Sequence, residues 1–383
     1  MSKILHIAIA EDYNEGYNYN QNTFPAKHAE QGHEVHIITT TLKFNSNGTL
    51  FCKPEEYINP QGIYVHRIPI STKNIYTHLF INRSKGLKEK IEEIKPDIIF
   101  IHGMGSVDNK IIFKYKNAHP NVKIFMDCHT DYYNSGYHKS WKKRIVQNIL
   151  SLHTRRNNEY VEKFWGTTPW RMNYLRDVYK VDPKKIDLLI MGGDETYIVG
   201  KDIKATRKSI REKYNIPQDA FLVITGGRLD KRKQQHILMD AIKELGKEKA
   251  WLLAFGTPTD EMKNKYDEYK NIENIVMPGW INGTDSYDLF LASDLAVFPG
   301  THSVLWEQAV ACGIPGIFQY WEGMAHIKVN ENAVLLNNVN VETLKEAILS
   351  SIERYSIMKS DAEKIASQFY LGELAKKSIG QQI

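Results

Sequence analysis

The chain has 383 residues, 42% of them hydrophobic and 25% charged, with a formal net charge of +5. That composition fits two folded domains of ordinary size, and no run of eighteen apolar residues is present to span a membrane. Three cysteines without close spacing, Cys52, Cys128 and Cys312, exclude a disulfide framework and a zinc site and point to a reducing compartment. The mild positive charge permits anionic substrates or lipid surfaces, and no nucleic-acid partner is expected. Met1-Ser2-Lys3 runs straight into a strand, without the long apolar core and cleavage site of a signal peptide.

Ile4–Ala10 is a nearly continuous apolar run, as in a buried parallel strand. A loop follows from Glu11 to Asn20, carrying Gly16 within Glu15-Gly16-Tyr17-Asn18. A helical stretch then reaches Gln31, Gly32-His33 stops it, and Glu34–Thr39 is the second strand. Further strands are predicted at Val65–Ile70, Asp97–His102 and Val122–His129, with helices at Asn82–Lys95 and Ser106–His119. Two of these strands end on histidines. The carboxyl end of a strand faces the ligand crevice in open α/β sheets. His129 is the candidate ligand contact, and His102 reads as a strand-end residue. Asp127 and Asp131 beside them fit a metal or plain turns.

Residues 139–156 place Trp141, Ile145, Ile149 and Leu152 on one helical face, with Lys139, Lys142, Lys143, Arg144, Arg155 and Arg156 around it. Such a basic amphipathic helix fits an anionic membrane surface, or a surface helix that packs its apolar face on its own sheet. Phe164–Thr167 and Ile186–Ile190 read as the last strands of the first half. Met191-Gly192-Gly193-Asp194 is a turn, and the domain boundary falls near 193, with a linker to about 203.

The alternation of strand and helix resumes with Phe221–Thr225, followed by Gly226-Gly227-Arg228-Leu229-Asp230-Lys231-Arg232-Lys233. Arg228 offers a planar fork to phosphate oxygens and Lys233 a point charge. Strands at Trp251–Phe255 and Ile275–Met277 lead to Pro278-Gly279-Trp280-Ile281, where Trp280 reads either as a core tryptophan or as a ring that packs beside a ligand. The stretch Asp294–Phe318 then opens with the strand Leu295–Phe298, ended by Pro299-Gly300. Thr301 or Ser303 can cap a helix containing Val304, Leu305, Ala309 and Val310, stopped by Gly313 and Pro315. Free N–H groups at such a helix start suit a phosphate, and Glu307, one turn in, could accept sugar hydroxyls. An ordinary βαβ unit with a helix-surface glutamate gives the same pattern. A last strand is expected at Asn332–Leu336, then helices to the end.

Two pieces of this wording, in matching order, resemble GT-B glycosyltransferases, especially family 4. Glu307-Gln308-Ala309-Val310-Ala311-Cys312-Gly313-Ile314-Pro315 resembles its E-A-x-A-x-G-x-P, with one residue more between the glutamate and the glycine. Gly227–Lys233 matches G-R-L-x-x-x-K-G, with Gln234 where the glycine usually stands. The resemblance implies an α/β GT-B fold, two Rossmann-like doubly wound parallel-sheet domains facing a cleft. The domains would be 1–193 on the acceptor side and 194–365 for the nucleotide sugar, with 366–383 crossing back to the first. It puts Arg228 and Lys233 on the donor diphosphate, Glu307 on the ribose, and Trp280 and Ile281 beside the nucleobase. Gly16 would face the phosphates and the acceptor, and His129 the donor sugar. The family's other glutamate, eight positions before Glu307, is Pro299 here. His302 or Ser303, at the helix start with Val304 and Leu305, is the candidate to replace it in part.

The implied reaction is transfer, with retention, from a nucleoside-diphosphate sugar, UDP being the expected nucleotide, to a glycan or lipid-linked glycan. No cofactor or metal is expected, since no D-x-D occurs. The expected location is cytoplasmic, with residues 139–156 on the inner face of the membrane. An inactive nucleotide-binding partner subunit and a related epimerase or phosphorylase remain alternatives.

Overall fold

The computed structural model describes residues 1–15, 19–45, 48–71 and 82–381. The chain divides into two compact units, Met1–Ile190 with Gly372–Ile383, and Met191–Leu371.

The first unit is built on an eight-stranded sheet. Its strands are β1 (Lys3–Ala8), β2 (Glu34–Thr40), β5 (Glu55–Ile58), β6 (Tyr64–Ile68), β7 (Ile98–Ile101), β8 (Lys123–Cys128), β9 (Lys163–Gly166) and β10 (Ile186–Leu188). They lie in the order β10-β9-β8-β7-β1-β2-β6-β5. All neighbours are parallel except β5, which pairs antiparallel with β6, so the sheet is mixed rather than wholly parallel. Between β2 and β5, β3 (Leu42–Asn45) and β4 (Gly48–Phe51) pair antiparallel as a separate sheet. Leu5, Ile7, Ile99, Ile101, Ile124, Met126 and Phe164 build the core; buried on both faces, such strands read as unbroken apolar runs.

Helices occupy Asn20–Glu30, Leu87–Ile94, Asn109–Ala118, Trp141–Asn157 and Pro169–Asp177. The predicted 82–95 helix is therefore shorter: Ser84 bridges to Ile70, and Gly86, at φ +84°, precedes the first turn. The Trp141–Asn157 helix leaves its apolar face uncovered, with Trp141 69%, Ile145 49%, Ile149 59% and Leu152 44% exposed. It does not pack that face on its own sheet.

The second unit has a six-stranded parallel sheet, β13-β12-β11-β14-β15-β16. The strands are β11 (Leu222–Gly226), β12 (Trp251–Phe255), β13 (Ile275–Gly279), β14 (Leu295–Phe298), β15 (Gly316–Gln319) and β16 (Ala333–Leu336). Val223, Leu252, Ala254, Leu295, Val297 and Ile317 form its core with Leu238, Ile242, Leu344 and Ile348 from the covering helices. The segment Gly372–Ile383 packs in the first unit, where Trp165 Nε1 donates to the Ser378 carbonyl at 2.9 Å.

Candidate functional site

In the second unit the carboxyl ends of β12, β11 and β14 are adjacent, and each is followed within two residues by a glycine, Gly256, Gly227 and Gly300, where the loops come close together. A Cβ on Gly256 would collide with the Gly227 carbonyl oxygen, and one on Gly300 with the Arg232 carbonyl. Glycine at these positions lets the three loops close on one another. A cavity of about 510 Å³ opens there, lined by Gly227, Arg228, Gly256, Trp280, Ile281 and Leu305 among others. A second hollow of about 760 Å³ shares Arg228, Pro258 and Thr259 with it and adds Asp230, Lys231 and Arg232.

Arg228 is exposed, and its guanidinium has no ion-pair partner among the described residues. Lys233 is placed differently. Its Nζ donates to the carbonyls of Thr301 at 2.7 Å and His302 at 2.9 Å, tying down the loop after β14. Burial lowers its ammonium to about 8, with Asp230 pulling the other way. Two of its three N–H donors are thus used. Gln234 takes the left-handed conformation, φ +55°, just before the Gln235–Leu245 helix, which explains why a glycine suits that position. Trp280 is 73% exposed, so it is not a core residue; it stands at the cavity wall beside Ile281.

The helix after β14 begins at Leu305, later than its sequence predicts, and neither Thr301 nor Ser303 caps it. Ser303 and Val304 belong to the approaching loop, and Leu305 covers Gly227. Glu307 is fully buried, not on the helix surface. Its Oε1 accepts from His302 Nε2 at 2.8 Å and His326 Nε2 at 3.0 Å, while Oε2 has no hydrogen-bond partner among the described residues. Burial raises the carboxyl, but the charge and hydrogen bonds of the two histidines outweigh it and hold it at about 2. These three ligating atoms lie within 4.8 Å of one another, a spacing a divalent ion could also use. Two N–H···O bonds account for it with protons instead.

In the first unit His129 follows β8 and its ring is 22% exposed. Its Nε2 donates to Asp127 Oδ2 at 3.3 Å; burial lowers its pKa, but the Asp127 charge prevails and the net shift is upward. Asp127 is neither a turn residue nor exposed: it is buried between His102 and His129. Asp131 does belong to a turn, accepting from the N–H groups of Tyr133 and Asn134. Near this strand end, Glu11 is raised by burial, and Asp12 is pushed up to about 7 for the same reason. Glu11, Asp12 and His326 carry no sequence signal of their own; the first two lie in a turn and His326 in a short 3-10 helix, and only the fold brings them to these sites. Gly16 lies outside the described residues.

The profile described as "Glycosyltransferase Family 4" matches residues 26–192, and that described as "Glycosyl transferases group 1" matches residues 206–368. The chain belongs to the GT-B glycosyltransferases. Among proteins similar to this family member is a lipopolysaccharide core biosynthesis glycosyltransferase, LpsD, of Rhizobium meliloti, 28% identical over 123 residues. That match spans 31% of this chain and only 35% of the relative. Solved structures with the same fold include sucrose-phosphate synthase from Thermosynechococcus elongatus, at 16% identity and a TM-score of 0.69, covering 98% of this chain and 97% of that one. HepE of Anabaena, in complex with UDP-glucose, is 13% identical with a TM-score of 0.67, covering 99% and 98%. WaaG, involved in lipopolysaccharide biosynthesis, is 15% identical with a TM-score of 0.67, covering 98% of both chains.

Proposed function

We propose that this chain moves a sugar from a nucleoside-diphosphate sugar, a UDP-sugar, to an acceptor hydroxyl of a glycan or lipid-linked glycan, with the anomeric configuration retained. The observation that carries the reading is the cavity beside Gly227: glycine backbone, an arginine with no ion-pair partner among the described residues, and an exposed tryptophan at the carboxyl ends of parallel strands. Arg228 and the remaining N–H of Lys233 hold the diphosphate, whose charge grows as the bond to the anomeric carbon breaks. The acceptor oxygen bonds that carbon, and the nucleoside diphosphate leaves. Trp280 flanks the base. Glu307 Oε2 accepts from the ribose; because that oxygen is buried, the ribose must displace neighbouring side chains to reach it. His129 is the first unit's contact with the donor sugar.

The UDP and UDP-glucose bound by HepE support the nucleotide, and the lipopolysaccharide roles of LpsD and WaaG support a glycan acceptor. The clamp is cationic side chain and backbone, so no divalent ion takes part; activity lost in a chelator and regained with magnesium or manganese would overturn this. Among the described residues no helix is long and apolar enough to cross a membrane. The uncovered face of the Trp141–Asn157 helix and its lysines favour a peripheral seat on anionic lipid.

The deciding experiment incubates the chain with a panel of nucleotide sugars, alone and with glycan or lipid-linked acceptors. Slow release of free nucleotide, accelerated by one acceptor, is the expected result. Conversion of the sugar nucleotide without nucleotide release would make the protein an epimerase. Binding without turnover of any donor would make it a partner subunit.

A further inference from the structure

Three histidines in the first unit have no part in the reading above, yet they form a continuous line. His28 lies in the Asn20–Glu30 helix, His6 in β1 and His102 just after β7; all are at most 1% exposed. His28 Nε2 stands 2.9 Å from the Ala375 carbonyl oxygen, and His28 Nδ1 stands 3.0 Å from His6 Nε2. His6 Nδ1 is 3.0 Å from His102 Nε2, and His102 Nδ1 is 3.1 Å from Asp127 Oδ2. Asp127 then receives His129 through the same oxygen.

The protons in this line can be counted. Both ends, a carbonyl and a carboxylate, only accept. Four contacts separate them, and each needs one hydrogen. Three neutral imidazoles supply three. Starting from Ala375, His28 must donate with Nε2, so its Nδ1 accepts. His6 must then donate with Nε2 and accept at Nδ1, and His102 must donate with Nε2. A neutral His102 would turn a lone pair onto Asp127. The Ser378 hydroxyl, 3.3 Å from His28 Nε2, could donate there only by giving up its shorter 2.7 Å bond to the Ala375 carbonyl, which would then lose both of these donors. An unmade bond would leave two buried polar atoms facing each other without a hydrogen between them, which is unfavourable.

We propose that His28, His6 and His102 form a relay holding one proton more than three neutral rings contain, resident on His102, which neutralises Asp127 from behind and makes all three positioning residues for His129. Two alternatives for that proton are weaker. Burial keeps His6 well below the usual range and His28 at about 4, so neither takes it. Asp127 also accepts from the Gly103 N–H at 2.8 Å and is held below the ordinary carboxylate range, its two histidines outweighing burial, so the acid form is disfavoured.

The consequence reaches His129. Two imidazoles share one carboxylate, and the relay gives the compensating charge to the hidden one. His129 is thereby left free to titrate, with Nε2 fixed on Asp127 and Nδ1 free to face a ligand. The other charged groups facing this end are Glu11 and Arg171, the latter 3.5 Å from Asp131; His33 faces His28 at the far end. The significance of His129 rests on the proposed function, but the proton count does not.

The test is long-range nitrogen–proton NMR of the full chain labelled in histidine, read from pH 6 to 9. At neutral pH His102 should show both ring nitrogens protonated, and His6 and His28 the neutral Nε2–H form. In His28→Leu the far acceptor is cut off. Two neutral rings then satisfy the two remaining bonds, so His102 should lose its extra proton and His6 should switch tautomer. With Asp127 no longer compensated from behind, the His129 midpoint should rise by about one unit. His28→Gln, which keeps one donor and one acceptor, should restore the wild-type pattern. A neutral His102 in the wild type overturns the proposal, as does an unmoved His129 midpoint in the leucine variant. If that variant does not fold, the wild-type spectrum alone decides. A protein inert toward every nucleotide sugar would leave these spectra as they are, so the two readings fail separately.

Discussion

Lys233 serves the loop with its ammonium and, in the proposed function, the donor diphosphate as well. Two of its donors hold the carbonyls of Thr301 and His302, and burial has brought it down to about 8. Between that value and its ordinary 10.5 the unfolded chain binds more protons, so this residue makes stability rise with pH there. A diphosphate beside it should restore the charge. UDP binding at pH 8 should therefore take up about half a proton, falling toward none at pH 6.5. Calorimetry in buffers of different ionisation enthalpy reads this directly; equal heats at pH 8 would remove Lys233 from the phosphate site. Arg228→Ala should weaken UDP about ten- to a hundredfold without changing the melting temperature, since the side chain is exposed and has no ion-pair partner among the described residues.

Glu307 makes the opposite pH statement. Its folded value of about 2 lies below the ordinary 4.5, so its contribution is complete above pH 4.5 and lost as the pH falls through 2. Glu307→Gln keeps one oxygen for the two histidines but puts an NH₂ where Oε2 lacks a partner. It should cost about 1–3 kcal/mol of stability and a comparable loss of UDP affinity. A 2′,3′-dideoxy nucleotide should bind variant and wild type alike. Equal losses with both nucleotides would mean that Glu307 acts through the fold and not on the ribose. The position of this glutamate is legible in its E-x-x-x-x-x-G-x-P wording, but its burial is not. His326, nineteen residues away, closes over it, and nothing local in sequence announces that contact.

At the scale of elements, the strands whose apolar runs are unbroken are those the sequence locates to within a residue or two. The edge strand β5 and the β3 and β4 pair are not legible, because Glu-Glu-Tyr-Ile and its like carry no core-facing period. The Trp141–Asn157 helix is legible as amphipathic, but only the fold decides which way its apolar face turns. That face gives a prediction. Lys142, Lys143 and Arg144 should each contribute about 1 kcal/mol of attraction to anionic lipid at the surface. The triple alanine variant should no longer float with phosphatidylserine or phosphatidylglycerol vesicles at low salt, and Trp141→Ala with Ile149→Ala should detach it at moderate salt. Equal recruitment by neutral and anionic vesicles would reduce the helix to a structural element.

At the scale of the whole molecule, the first unit is assembled from both ends of the chain. Its last piece, from Gly372, returns after an entire second unit has been made. The return is bonded at several points: Gln31 Nε2 donates to the Gly372 carbonyl at 2.8 Å, and Trp165 and His28 reach the carbonyls of Ser378 and Ala375. Leu374, Ala375 and Ile379 are at most 4% exposed. Burial of one leucine and one isoleucine is worth about 1.5–3 kcal/mol each, so ending the chain at Leu371 should cost the first unit about 3–6 kcal/mol. The second unit keeps its own core and its Gly193 to Tyr370 bridge, and should be untouched. Scanning calorimetry of the truncated chain should therefore show one transition lowered and the other unmoved. Two transitions shifted together would show that the units unfold as one, and two unshifted transitions would show that the returning segment adds nothing to the first.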